Sequence, residues 1–167
     1  MKRLVVASIV AGLLLPVAAW AAIVVNQSIG GVALGMTQAQ VRAKLGAPRK
    51  VTHTPPLGEQ PAWTYFKYKS YFVLFACDPA HCTNQKLAPF VRSISTTAKS
   101  ERTTHGIGVG STLAQLKANE PRFKCQQAYD PVRIECNAPK PEGPITYFEV
   151  KKSLVTEIIL SYAGEPR

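Results

Sequence analysis

A nine-residue stretch of this chain recurs with five of its residues unchanged. Gly35-Met36-Thr37-Gln38-Ala39-Gln40-Val41-Arg42-Ala43 returns 75 positions later as Gly110-Ser111-Thr112-Leu113-Ala114-Gln115-Leu116-Lys117-Ala118. Gly, Thr, Ala, Gln and Ala recur in register, and Val41/Leu116 and Arg42/Lys117 are like-for-like exchanges. The match runs backwards as well, with Gly31-Val32-Ala33-Leu34 lying over Gly106-Ile107-Gly108-Val109. A repeat at fixed spacing constrains architecture before any local propensity does, so the chain reads as two copies of one unit.

Both copies start a helix by the same chemistry. Thr37 and Gln40, like Thr112 and Gln115, stand at the spacing of a capping box: the threonine hydroxyl accepts from the N3 amide while the glutamine reaches back to the N-cap amide. Met36 and Val41 add the spacing of a hydrophobic staple in the first copy, and Ser111 denies it to the second. Stop signals follow quickly, Gly46 with Pro48 beyond it and Asn119 with Pro121 beyond it. Helices this short are marginal alone and must pack on something else. Residues 23–35, with three glycines and scattered aliphatics, are expected to make a further irregular helical turn.

What they pack on reads as strand. Segments 50–54, 63–68, 71–76 and 90–97 in the first copy, and 123–128, 132–137, 145–150 and 154–161 in the second, are rich in aromatic and β-branched residues between turn signals. The expected fold is α+β: two tandem repeats, each with two short helices packed on a four-stranded antiparallel sheet. Residues 22–100 form the first repeat and 101–167 the second.

Residues 1–21 read as a secretory signal, with Lys2 and Arg3 at the charged end, an apolar run over 4–17, and Ala19-Trp20-Ala21 as a small-residue cleavage site. The run is shorter than the roughly 20 residues a membrane-spanning helix needs, so no stable anchor is expected after cleavage behind Ala21. The expected destination is the periplasm or the exterior. Loss of Lys2 and Arg3 takes the formal charge from +10 to +8, which favours a partner with an acidic surface. The bland account of that charge is solubility. Export and the lack of a dense Lys/Arg arm argue against nucleic acid.

In an exported chain, four cysteines indicate two disulfides, and four allow three pairings. Cys125 and Cys136 flank the turn signal Tyr129-Asp130-Pro131-Val132, so they can face each other across a hairpin. Cys77 and Cys82 enclose a second turn-like insert, Asp78-Pro79-Ala80-His81. Both bridges, Cys77–Cys82 and Cys125–Cys136, are therefore expected inside their own repeats. A metal site of Cys77, His81 and Cys82 is the rival, but it lacks a fourth ligand and the short paired spacings of such sites.

No catalytic constellation emerges. The two aspartates, Asp78 and Asp130, sit beside prolines in turns, and the three histidines show no ligand spacing. The glycine-rich stretch 106–112 has no P-loop lysine. The expectation is no enzyme, no cofactor and no metal. What remains is a surface. Strand alternation puts Trp63, Tyr65 and Lys67 on one face and Thr64, Phe66 and Tyr68 on the other. Only one face can bury against a helix; the other either packs on the neighbouring repeat or, with Trp63 and Tyr65 beside Lys67 and Lys69, is expected to form a partner-binding patch.

The stretch Gly35-Met36-Thr37, Gln40-Val41 and Leu45-Gly46-Ala47-Pro48 resembles the signature of the small outer-membrane assembly lipoproteins (the SmpA/OmlA group). In its tandem organisation the chain is also similar to the beta-lactamase inhibitor proteins. The resemblance implies a protein-binding sheet surface and no catalysis. It transfers fold better than function, because the motif starts and stops helices. This chain lacks the cysteine that anchors the lipoproteins, and it is strongly basic, so the target of an inhibitor of this kind should be acidic where the two meet. The resulting expectation is a soluble periplasmic protein-binding module, an inhibitor or immunity-type protein that occludes an envelope or toxin enzyme. The alternative is an envelope-assembly or cell-wall-associated factor that binds anionic polymer.

Overall fold

The computed structural model describes residues 22–54, 62–76, 89–140 and 142–162. The signal segment and the Cys77–Cys82 pair lie outside the described residues. Three two-residue strands open the description, β1 (Ile23–Val24), β2 (Ser28–Ile29) and β3 (Val32–Ala33). Helix α1 (Gln38–Leu45) leads into β4 (Lys50–Thr54), β5 (Trp63–Lys67), β6 (Tyr71–Ala76) and β7 (Phe90–Thr96). Helix α2 (Leu113–Asn119) leads into β8 (Lys124–Gln127), β9 (Arg133–Asn137), β10 (Pro144–Lys151) and β11 (Leu154–Tyr162).

Both helices begin at their threonines, and both capping boxes close. The Gln40 amide donates to Thr37 Oγ1 at 3.3 Å while the Thr37 amide donates to Gln40 Oε1 at 2.8 Å. In the second copy the Gln115 amide donates to Thr112 Oγ1 at 3.1 Å, and the Thr112 amide to Gln115 Oε1 at 2.8 Å. The residues just before each cap are clamped to the last strand of their own copy. Gly35 N donates to Val91 O and Val91 N to Met36 O, both at 2.8 Å. Gly110 and Ser111 make the same pair of bonds with Val155, again at 2.8 Å. Gly35 and Gly110 turn the chain at φ 82° and 91°, a region that costs glycine nothing and other residues dearly. The recurring glycine-x-threonine is thus a joint that fixes each helix against its sheet.

The expected fold, two repeats of two helices each on its own four-stranded sheet, is corrected by the structure. The described chain is mostly β, with one helix per copy, and all eight long strands belong to one antiparallel sheet in the order β4-β5-β6-β7-β11-β10-β9-β8. Each copy supplies a four-strand meander, and the last strands of the two meanders, β7 and β11, pair with each other. Pairing satisfies backbone groups that two separate sheets would have left at free edges. The expected first helical turn is absent because the segment reverses every few residues, with positive φ at Asn26, Gly30 and Gly31. It forms the small β1-β2-β3 sheet instead. The eight long strands lie within a residue or two of their expected positions.

Among the described residues, both helices and the small sheet pack on one face of the large sheet. Val41 of α1, Leu116 of α2 and Ile23, Ile29 and Val32 of the small sheet share a core with Phe66, Phe75, Ile94, Phe148, Ile158 and Leu160. At about 25 cal/mol per Å² of apolar area, this core is the main source of stability. Asn26 ties the small sheet to β10, its backbone amide donating to Thr146 Oγ1 and its side-chain Oδ1 accepting from the Thr146 amide, both at 2.7 Å. The second face carries a smaller cluster of Ile145, Tyr147 and Ile159.

Thr37→Ala and Thr112→Ala should each lower the unfolding free energy by about 1 kcal/mol, measured by urea denaturation. Replacing both Cys125 and Cys136 by serine should cost about 2–3 kcal/mol, because the bridge closes a short loop whose unfolded-state entropy it restricts.

Candidate functional site

Of the expected partner-binding residues, Trp63, Tyr65 and Lys67 fall on the second face, as strand alternation requires, and Lys69 lies in the turn beyond the strand. Thr64 and Phe66 are buried on the helix side, whereas Trp63 and Tyr65 are half-buried and Lys67 and Lys69 exposed. Trp63 stands apart from the other three, opposite Thr54 and Ala76. Tyr65 and Lys67 are joined by a residue that the sequence reading passed over. Phe72 lies directly across from Lys67, is 42% exposed, and places its ring 5.5 Å from that of Tyr65. Lys50 of the edge strand faces Lys67 from the other side, and Lys69 follows in the β5–β6 turn. Like charges opposed across strands repel. The edge of the sheet is therefore a cationic rim around an aromatic pair.

Toward the centre of the same face the sheet sinks into a hollow of about 260 Å³. Its floor is Ser93 and Ser95 of β7, whose side chains are too small to fill the space between their neighbours. Phe72 and Leu74 wall it on the β6 side, and Ile159 on the β11 side. A row of carboxylates crosses the adjoining strands in register, Glu157 opposite Glu149 and Glu149 opposite Glu135. Arg133 answers two of them, with Nη1 2.7 Å from Glu149 Oε1 and Nη2 3.7 Å from Glu135 Oε1. Lys151 completes the lining.

Glu149 is only 7% exposed at its side chain. Burial pushes its carboxyl above the usual carboxylate range; Arg133 pulls it back, Glu157 pushes it up again, and Lys151 and Glu135 add smaller opposing effects. The sequence offered a signal for this row. Glutamate is a poor strand former, yet Glu135, Glu149 and Glu157 all stand inside segments with clear strand pattern.

Cys125 and Cys136 form the expected disulfide as a directly opposed pair of β8 and β9. The hairpin it braces ends in a tight turn. There Asp130 Oδ1 accepts from the Val132 amide at 3.0 Å, and Gln127 Nε2 donates to Pro131 O at 2.6 Å. Tyr129 and Val132 project from this tip into solvent, at 105% and 68% exposure. At the other end of the second copy, Glu120 is buried, accepts from Thr103 Oγ1 at 3.1 Å, and has His105 Nδ1 at 3.1 Å. That trio sits where α2 ends, and its buried carboxylate also holds the preceding loop, since Thr103 Oγ1 accepts from the Ile107 amide.

The raised Glu149 carboxyl fixes a pH dependence. A group that binds its proton more tightly when folded adds stability below its unfolded value, and that stability is lost as the pH rises through the folded one. The urea midpoint of the protein minus that of Glu149→Gln should therefore be largest near pH 4 and fall as the pH rises above 4.5. A difference that grows with pH would mean that Arg133, and not burial, dominates at this carboxylate.

No family model and no curated protein matches the chain. Two solved structures are similar to it. One is a DUF4309 family protein (YjgB) from Bacillus subtilis, at 14% identity and a TM-score of 0.44, covering 75% of this chain and 78% of that one. The other is an extracellular protein containing a SCP domain from Bacillus anthracis, at 8% identity and a TM-score of 0.41. That match covers 77% of this chain but only 43% of the other. Similarities this distant say nothing of activity.

Proposed function

We propose that the chain is an exported protein-binding module that acts by occluding a partner with an acidic surface, in the manner of an inhibitor or immunity protein. The observation that carries this reading is the rim of the second face, where the rings of Tyr65 and Phe72 meet at 5.5 Å, tilted by 36°, beside Lys67, Lys50 and Lys69. Aromatic side chains that are partly exposed and already held by a sheet lose little freedom on binding, which is why such residues anchor interfaces. The lysines around them draw an acidic surface into register and raise the association rate. Export is supported by the charged and apolar pattern of residues 1–21 and by the Cys125–Cys136 disulfide, which persists in oxidising compartments. The braced hairpin tip with Tyr129 and Val132 is a second rigid apolar projection suited to the same role.

The test is capture from envelope extract of the source cells with the protein as bait, alongside Phe72→Asp and the double variant Lys67→Glu/Lys69→Glu. A protein retained by the wild type and lost from both variants, each shown to be folded, supports the reading; equal capture by all three overturns it. Once the partner is in hand, Tyr65→Ala should cost on the order of 2 kcal/mol of binding, and Lys69→Ala should mainly slow association. Capture of anionic polymer that vanishes with moderate salt would favour the cell-wall reading instead.

A further inference from the structure

The junction between the two copies holds a buried carboxylate without a counter-ion. Glu101 is 9% exposed. Its Oε1 accepts from the Tyr71 hydroxyl at 2.6 Å, while its Oε2 is buried without a hydrogen-bond partner. Among the described residues no salt bridge reaches it. Tyr71 does not supply the missing charge, since a phenol that donates is neutral. Burial, and then the bond to Glu101 and its charge, push that hydroxyl well above the usual tyrosine value. Arg102, the next residue along, sends Nη1 to Val109 O at 3.0 Å, and Lys44 lays its stem along Gly31. A buried carboxylate oxygen left unanswered is costly, so the site calls for a cation that is also a hydrogen-bond donor.

The residue that the fold brings to this junction is Ala22. Ile23 N donates to Arg102 O at 3.1 Å, so the peptide joining Ala22 to Ile23 runs beside the residue that follows Glu101. Ala22 O accepts from Gly30 N at 2.7 Å. Gly30 in turn lies against Tyr71, where a Cβ would fall 3.0 Å from the same hydroxyl oxygen that bonds Glu101. Ala22, Gly30, Tyr71 and Glu101 thus form one run of contacts, and cleavage behind Ala21 makes Ala22 the amino terminus. We propose that the α-ammonium of Ala22, created when the leader is removed, seats on Glu101 Oε2 and locks the small sheet to the junction of the two copies. In the uncleaved chain the same nitrogen is a peptide amide, with one proton and no charge. Cleavage turns it into three donors and a full positive charge. The leader therefore withholds the counter-ion of a buried carboxylate until export is complete, and its removal stabilises the fold. The inference rests on the cleavage behind Ala21 that the proposed export requires, and it is independent of what the second face binds.

The experiment uses the exported protein, with its amino terminus read by intact mass and its alanines labelled at the methyl carbon. The mass should be that of a chain beginning at Ala22. A neighbouring carboxylate favours the charged form of an amine, so the titration of Ala22 is displaced upward. Followed by NMR against pH, the Ala22 methyl should report an amine that binds its proton about tenfold more tightly than an ordinary α-amine, whose pKa is about 7.7–8.0. In Glu101→Gln it should titrate in that ordinary range. One glycine inserted between Ala21 and Ala22 carries the test if Glu101→Gln does not fold, because it moves the ammonium about 3.5 Å along the chain. The new terminal glycine should titrate in the ordinary range, and the folded-to-unfolded ratio in urea at pH 7 should fall about tenfold. An ordinary titration of Ala22 in the wild type, a raised one that persists in folded Glu101→Gln, or a glycine variant as stable as the wild type would overturn the pairing and leave the export reading standing. A mass that shows a different amino terminus would overturn both.

Discussion

The pairing of β7 with β11 is the contact on which the rest of this molecule depends. Four residue pairs, from Ser93↔Ser161 to Thr96↔Ile158, join two meanders into one eight-stranded sheet. On one side of that seam Ile94, Ile158 and Leu160 are fully buried beneath the helices. On the other side Ser93 and Ser95 form the floor of the hollow. One seam therefore closes the core and opens the site, through nothing more than the period-2 alternation of side chains.

The helices are held in place by the same strands. Each glycine-x-threonine joint pairs its backbone with the last strand of its own copy, Val91 in one and Val155 in the other. A seven- or eight-residue helix has too few internal bonds to persist in water, so its cap and this backbone clamp matter more than its own propensity. Tyr71 shows how closely the copies are tied. Its hydroxyl donates to Glu101 at 2.6 Å, where the chain passes into the second copy, and Gly30 leaves room for its ring.

Charge is divided on the second face. Lys50 and Lys67 oppose each other at the β4–β5 edge with Lys69 in the turn that follows, while Glu135, Glu149 and Glu157 cross the opposite half with Arg133 and Lys151 among them. Each group stands beside apolar side chains, Tyr65 and Phe72 for the lysines and Ile159 for the glutamates.

The sequence by itself determined the local pieces. Capping boxes at Thr37 and Thr112, the stops at Gly46 and Asn119, the strand segments and the Cys125–Cys136 bridge all depend on residues close together in the chain, where spacing translates directly into geometry. The division of β5 into two faces was legible for the same reason, since Thr64 and Phe66 alternate with Trp63 and Tyr65; which of the two the helices cover was not. The number of helices was not, because the glycines at 30 and 31 turn the segment back on itself where scattered aliphatics alone fit a helix. Nor was the single sheet, because pairing β7 with β11 is a choice between partners more than sixty residues apart that no local pattern encodes. The hollow follows from that choice alone. Its walls come from β6 and β7 of one copy and β9, β10 and β11 of the other, and they meet only once the two edges have closed against each other.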